Sequence, residues 1–464
     1  MIGSKRREQM DLFVAGSLDR LIPEDHVLMR VDRVLDLSWL REEVSDCYCA
    51  DNGRPGIDPE VALRLMLAGM LLGYVHDRRL LREARAHLAI RWFIGYGLHE
   101  ELPHHSSLTR IRQRWGEARF KEIFRRTVQA CLEANVAKGE VVHVDASLIR
   151  ADVSWESLAS HHAEKVIQEN PVEDEAGKKG GGRGGPVSRT DPDARLARKS
   201  ARARSEPSYK HHAAVDDERG VVLDVAVTEG TLDERKMMAS HIEAVSELSG
   251  RAPELVTADS GYAYSKVYGA LESRGVEALI PAKKEPSQSR VPLQLFHYDA
   301  RNEVVKCPGG KTLRPRQATE LGRYYGSRTR DCAGCALRSD CLSKSQTSKA
   351  VLIPNEYPAL LRARRRHLRW GEEEKRLYGR HRWRSEGYHG EAKSWHGLGR
   401  AVRRGLENMK IQSYLTAIAV NLKRLAAAFA ARLFALWGVC AARRRRLRAH
   451  HALTRRLGFL SAAA

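Results

Sequence analysis

The sequence feature that most constrains the fold is a change of hydrophobic period at Gly139. Upstream, apolar residues recur at helical spacing, whereas downstream they gather in short runs separated by turns. Asp58-Pro59-Glu60 is the clearest helix start, a capping carboxylate followed by proline at the first helical position. Val61–Leu72 is then expected to be a helix apolar on nearly every face, which places it in a core. Further helices are predicted over Arg78–Phe93, over Leu108–Trp115 with Ser106 or Ser107 as cap, and over Glu117–Ala134. After Gly139, Val141–Val144 reads as a strand ending in Asp145. His211–Val215 and Val221–Thr228 read as a hairpin turned at Asp217–Gly220. A helix over Asp233–Leu248, a strand over Glu254–Ala258 closing on Asp259, a helix over Ser265–Arg274 and a strand over Val276–Pro281 come next. Three strands and then alternating helices and strands define a mixed α/β sheet behind an all-α start.

The chain is long enough for two or three domains with real cores, at 464 residues and 42% hydrophobic content. The expected division is a helical domain over 1–137, the first part of the α/β domain over 138–284 with a mobile basic loop at 172–208, and a loop-rich cysteine insertion over 285–358. Helices over 359–432 complete the α/β domain, and a basic tail takes up 433–464. Its Arg-rich stretch, Ala441–Leu457, suits phosphate contact or partial disorder. Lys and Arg outnumber Asp and Glu by 79 to 58, a net charge of +21 that concentrates polyanions at the surface and makes nucleic acid the natural partner. No apolar run of signal length comes after the basic start, so a cytoplasmic, nucleoid-associated protein is expected. Tyr414–Val439 is broken by Lys423, Arg424 and Arg432, so no membrane span is expected. Arg110 and Arg114 share one helix face, which reads either as a DNA-contacting face or as a solvated arginine face.

Asp145 and Asp259 both stand at strand ends, where an α/β sheet binds its ligands. Hard divalent cations take carboxylate oxygens, and a pair of them about 4 Å apart can activate an oxygen nucleophile and neutralise charge at phosphorus. An aspartate after a strand is, taken singly, as readily a turn former. The third element is the helical segment Tyr378–Lys393, in which Arg382, Glu386 and Lys393 fall on one face of a regular helix. A carboxylate between two cations can hold metal while its neighbours grip phosphates; in isolation the same segment reads as a charged surface helix.

This spacing resembles the signature helix of the DDE transposases of the IS-four and IS-five-like insertion-sequence groups: Arg, three residues, Glu, six residues, Lys. Similar segments surround it: His143-Val-Asp145-Ala-Ser-Leu-Ile-Arg150, Tyr209-Lys-His-His-Ala-Ala-Val-Asp216, Thr257-Ala-Asp259-Ser-Gly-Tyr262, Arg404-Gly-Leu406 and Asn421-Leu-Lys-Arg-Leu425. The resemblance runs from residue 8 to residue 428, and the helical start is similar to the DNA-binding domain of the same subgroup. It implies a ribonuclease H-like catalytic fold and two Mg²⁺ or Mn²⁺ ions held by Asp145, Asp259 and Glu386. Arg382 and Lys393 would meet DNA phosphate. The implied activity is cleavage at element ends followed by transfer of the 3′ hydroxyl into target DNA. Its partners would be double-stranded DNA, as terminal inverted repeats and target, and a second copy of the chain, since two ends must be paired. The family's tyrosine normally stands three positions before the arginine; here Gly379 is in that place and the tyrosine is Tyr378. A stand-alone nuclease of the same fold, and a DNA-binding repressor or catalytically silent relic, are the alternatives. The intact triad and the basic helical start favour the transposase.

Cys332-Ala-Gly-Cys335, Cys341 and the Cys307-Pro-Gly-Gly turn offer four thiolates. They read either as a structural zinc site or as free thiols in a loop-rich insertion, because a second tight knuckle is missing. Cys47, Cys49, Cys131 and Cys440 read as packing residues, and the four His-His pairs lack a ligand pattern. The Lys178–Gly185 stretch lacks nucleotide-loop spacing, so ATP use is not indicated.

Overall fold

The apolar run opened by Gly139 becomes a ten-residue strand, β1 (Val141–Arg150), and the α/β part of the chain is arranged around it. The structure, a computed structural model, describes residues 17–49, 56–153, 158–159, 187–188, 190–198, 202–283, 291 and 293–461. A short ribbon joins β2 (Leu158–Ala159) to β3 (Val187–Ser188). Next in the chain are β4 (Arg195–Ala197), β5 (Glu206–Asp216), β6 (Val222–Glu229), β7 (Leu255–Thr257) and β8 (Glu277–Leu279). The main sheet has the order β4-β5-β1-β7-β8, with β6 also paired to β5. β5 is antiparallel to β1 and β6, whereas β7 and β8 run parallel to β1. This is the ribonuclease H-like mixed sheet that the resemblance implies.

Two units make up the chain: Met1–Phe124 with Trp395–Gly397 and Ile418–Ala464, and Arg125–Ser394 with Leu398–Ala417. In the first, Asp58 accepts the Glu60 N–H at 2.8 Å and starts the helix Pro59–Leu72, whose Leu63, Leu65, Met66, Leu67 and Met70 are all buried. A residue turned inward on every side of the helix explains the all-apolar sequence. The expected Arg78–Phe93 helix is two, Asp77–Ala84 and Leu88–Phe93. The ring of His87 accepts the Ile90 N–H at 3.3 Å and so caps a new start, which periodicity alone does not reveal. The two helices expected on either side of Gly116 run on as His105–Glu133, kinked at that glycine by φ 67°.

In the second unit the strands are longer than their apolar runs, because β5 buries both faces over most of its length. Asp216 ties its end down: Oδ2 accepts the N–H groups of Lys138 and Gly139, and Oδ1 accepts that of Glu218. The helix Met238–Ser249 packs on β5 and β6 through Met238, Ile242 and Val245. Tyr357–His367 lies along Ser265–Glu272.

The segment read as irregular between 285 and 352 carries a second, antiparallel sheet. It consists of β9 (His297–Asp299), β10 (Val304–Lys306), β11 (Thr312–Thr319), β12 (Gly322–Gly326) and β13 (Ala350–Pro354), in the order β13-β12-β11-β10-β9. β11 buries only Leu313 and is bulged between Pro315 and Ala318, so it shows no alternation to read. Much of the basic loop expected at 172–208 lies outside the described residues; its second half supplies β4 and the start of β5. The chain read as a basic tail stays helical in the long helix Leu406–Ser461. Among the described residues no helix is long and apolar enough to cross a membrane.

Candidate active site

Side chains two apart on a strand share a face. On β1 this pairs His143 with Asp145, and the β7 ladder runs out at the His143–Thr257 pair. Asp145 therefore stands just past the end of β7, and Asp259 comes two residues after Thr257. A buried hydrogen-bond relay fixes this corner. Asp217 Oδ1 is 3.0 Å from His143 Nε2, His143 Nδ1 is 2.7 Å from Thr257 Oγ1, and Thr257 Oγ1 is 2.8 Å from His381 Nδ1. The side chains of His143 and Thr257 are fully buried and His381 is nearly so. Burial first, and then His143, pushes His381 down to about 4, so its ring is neutral at pH 7. A carboxylate only accepts, which makes His143 Nε2 the donor at one end.

His381 ends the helix Glu372–His381, and Glu386 lies five residues on, at the end of a π turn, Arg382–Glu386. Arg380 pairs with Asp217 at 2.9 Å and Ser385 donates to the His381 carbonyl at 2.7 Å, so the relay reaches the helix that carries Glu386. The relay thus joins three elements, each holding one of the three expected carboxylates within two to five residues. The π turn also breaks the expected single face, because one extra residue rotates the downstream side chains by about 100°. Arg382 and Glu386 are exposed and paired at 3.3 Å. Lys393, where the sequence suggested a phosphate contact, donates instead to the Leu148 carbonyl at 3.1 Å and to Ser147, bracing β1. Tyr388 and Ser413 sandwich the ring of His211 on β5 at 3.0 and 3.1 Å.

Charge converges on Asp145. Burial, and after it Asp259, Glu234 and Glu386, pushes its carboxyl up to about 7, against the pull of the Ala146 N–H that it accepts at 2.8 Å. Like charges gathered in a poorly solvated corner are what a bound cation relieves. The donor set is all carboxylate, which fits Mg²⁺ or Mn²⁺ by its chemistry. As the side chains stand, no group of three among the described residues closes round a point that could hold an ion, so binding requires side-chain rotation.

Three further side chains stand near these carboxylates, and of them the sequence reading singles out only Tyr378. His389, three residues after Glu386, is 5% exposed, has no hydrogen-bond partner for either ring nitrogen among the described residues, and places Nε2 3.8 Å from Asp145 Oδ2. Burial pushes it down to about 3, so it faces Asp145 as a neutral ring. Glu234 joins from the turn after β6, and burial raises its carboxyl. Tyr378 is half-buried, stacked on His381, and raised by burial and then by Asp259, Glu386 and Asp145. The sequence marks Glu234 only as an acid in a helix start, a common capping pattern.

Elsewhere, Arg110 and Arg114 are exposed on one helix, while Arg112 between them is buried in an ion pair with Asp77 and is not free for a ligand. Cys307, Cys332, Cys335 and Cys341 line a single cavity of about 30 Å³. All four are free thiols, and the N–H of Lys311 donates to Cys307 Sγ at 3.3 Å.

Two protein families match the chain. One, described as a transposase domain (DUF772), matches residues 16–114; the other, described as a transposase DDE domain, matches residues 306–426. The second match takes in Glu386 and Lys393 and leaves Asp145 and Asp259 outside it. No curated protein matches the chain. Among solved structures it is similar to piggyBac transposase in a synaptic complex with hairpin DNA, at 10% identity over 87% of this chain and 79% of that one, with a TM-score of 0.32. It is also similar to Mos1 transposase in a paired-end complex with the left transposon end, at 11% identity over 52% of this chain and 65% of that one, with a TM-score of 0.17.

The raised carboxyl of Asp145 has a measurable consequence. A group whose value rises on folding from 3.8 to about 7 holds a proton that the unfolded chain has lost, so its stabilising contribution declines as pH climbs through that interval. Metal-free protein is expected to lose on the order of a few kcal/mol of stability between pH 4 and 7 from this group. Denaturant unfolding in chelator should show the loss, and Asp145→Asn should flatten it; an unchanged slope in the variant would contradict the account.

Proposed function

Because the chain belongs to the insertion-sequence DDE transposases, we propose that Asp145, Asp259 and Glu386 are its metal-binding carboxylates and that Mg²⁺ is the working ion. The protein cleaves DNA at the ends of its element and transfers the freed 3′ hydroxyl into target DNA, the metal-dependent chemistry of the family. The observation that carries the residue assignment is the relay from Asp217 through His143 and Thr257 to His381, which ties together the three elements bearing those carboxylates.

Bound divalent cations would activate the attacking oxygen and neutralise charge at phosphorus. The chain's own residues supply the frame. Asp145 is held by the Ala146 N–H, and Asp259 by the Gly261 N–H at 2.8 Å, leaving oxygens of both free to turn toward substrate. The neutral ring of His389 keeps water from one side of Asp145 without adding a competing positive charge. Arg382, Arg110 and Arg114 are exposed and suit DNA phosphate, in keeping with the net charge of +21. Double-stranded DNA is the partner in this reading, as terminal repeats and as target. Two copies of the chain act together, since two ends have to be held at once.

For the cysteine-bearing segment, we infer that Cys307, Cys332, Cys335 and Cys341 hold a structural zinc ion. They share one cavity in a module of short strands and helices of four or five residues, which has little apolar core of its own. Their side chains would draw inward to close the shell. Protein purified under reducing conditions should contain about one zinc per chain, and Cys332→Ser should lose it. Zinc-free protein with an unaltered melting temperature would overturn this assignment.

The catalytic assignment is tested with DNA carrying the element's ends. Asp145→Asn and Asp259→Asn should retain end binding and lose Mg²⁺-dependent cleavage by a factor of a thousand or more, and wild-type protein should join a pre-cut end to target. Cleavage persisting in either variant would reject the residues, and cleavage without joining would indicate a nuclease.

A further inference from the structure

Glu234 has no counterpart in the three expected carboxylates, yet its surroundings point it at them. It opens the single turn Glu234–Met237 between β6 and the helix Met238–Ser249. Asp233 caps that turn by accepting the Arg235 N–H at 3.1 Å, which fixes the backbone from which the Glu234 side chain projects. On one side stands Lys210 of β5, whose Nζ is 3.5 Å from Glu234 Oε2 and also donates to the Leu232 carbonyl at 2.7 Å. On the other side stands Asp259. A carbon placed on Gly261 would be 2.8 Å from Asp259 Oδ1 and 3.2 Å from Glu234 Oε1, so both carboxylates border the space that a side chain at 261 would fill. Glycine at 261 leaves that space open.

A second observation, independent of the acids, points the same way. The ring of Tyr262 is 1% exposed and its hydroxyl has no hydrogen-bond partner. The charges that act on it, after burial itself, are Glu234, Asp145 and Asp259 in that order, so the hydroxyl lies within electrostatic reach of the acidic corner. Leaving a buried hydroxyl unpaired carries a desolvation cost with nothing to offset it. Such a group is retained where it serves a ligand, and a cation's water shell or a phosphate oxygen would supply its partner.

We propose that Glu234 is a fourth carboxylate of the divalent-cation site, beside Asp259 at Gly261. The proposal rests on the assignment of Asp145 and Asp259 as metal ligands. Its chemistry is simple: a further hard oxygen donor beside Asp259, with Lys210 offsetting its charge until a cation arrives. The competing view makes Glu234 only the ion-pair partner of Lys210.

The test is titration of the full-length protein with Mn²⁺, followed calorimetrically, alongside melting in chelator and binding to end-containing DNA. Glu234→Gln should weaken Mn²⁺ binding tenfold or more. It should leave DNA binding unchanged and should not lower the melting temperature of metal-free protein, because a like charge has been removed from beside Asp259. Lys210→Met should keep Mn²⁺ affinity within twofold of wild type. Equal losses of Mn²⁺ affinity in both variants would overturn the proposal in favour of a structural pair. Unchanged affinity in Glu234→Gln would overturn it as well, with Asp145→Asn separating the two levels: if that variant loses Mn²⁺, only Glu234 is wrong, and if it does not, the metal-site reading falls too.

Discussion

A threonine hydroxyl between two buried imidazoles holds the acidic corner of this protein together. Thr257 closes β7 against β1 through His143 and reaches His381 on the helix that leads to Glu386. None of these groups can turn to water, so each hydrogen bond is enforced by the cost of breaking it in a dry place. The anchor is Asp217 at the β5–β6 turn, which accepts from His143 and pairs with Arg380. Four elements distant in sequence are thereby locked at one point. The three carboxylates assigned to metal lie a short step outward from it, where side chains retain freedom to move.

That arrangement separates rigidity from charge. The hydrogen-bonded relay is buried, whereas the acids beyond it crowd one another enough to push Asp145 up to about 7. Acids gathered in this way destabilise the metal-free fold, and the buried scaffold behind them offsets that cost. Sites that must bind a cation are often built under such strain, since the ligand then releases it. His389 and Tyr262 extend the same logic, as buried polar groups whose side-chain atoms have no hydrogen-bond partner among the described residues.

Much of this is readable in the sequence for definite reasons. Strand ends bearing Asp145 and Asp259 stand out because the runs before them are short and apolar, and the Asp217–Gly220 turn fixes the hairpin. Glu386 is identified by its spacing to Arg382 and Lys393, but the face that spacing implies is not the one formed, because a π turn leaves no mark in residue order. Lys393 consequently braces β1. The second sheet escapes notice because β11 is exposed along nearly its whole length. Glu234 is hidden for a different reason: an acid at a helix start is usual, and only the fold reveals that Gly261 and Asp259 lie beside it. The relay itself is made of a histidine, a threonine and another histidine separated by more than a hundred residues, a pairing that no local pattern encodes.

The most direct measurement is of Mn²⁺ affinity and end cleavage in Thr257→Val, which keeps the shape of the side chain and removes only the hydroxyl. If the relay positions the carboxylates, the variant folds, binds DNA and loses at least tenfold in both quantities, and Thr257→Ser restores them. Full metal affinity and full cleavage in a folded Thr257→Val protein would show that the acidic corner does not depend on this contact.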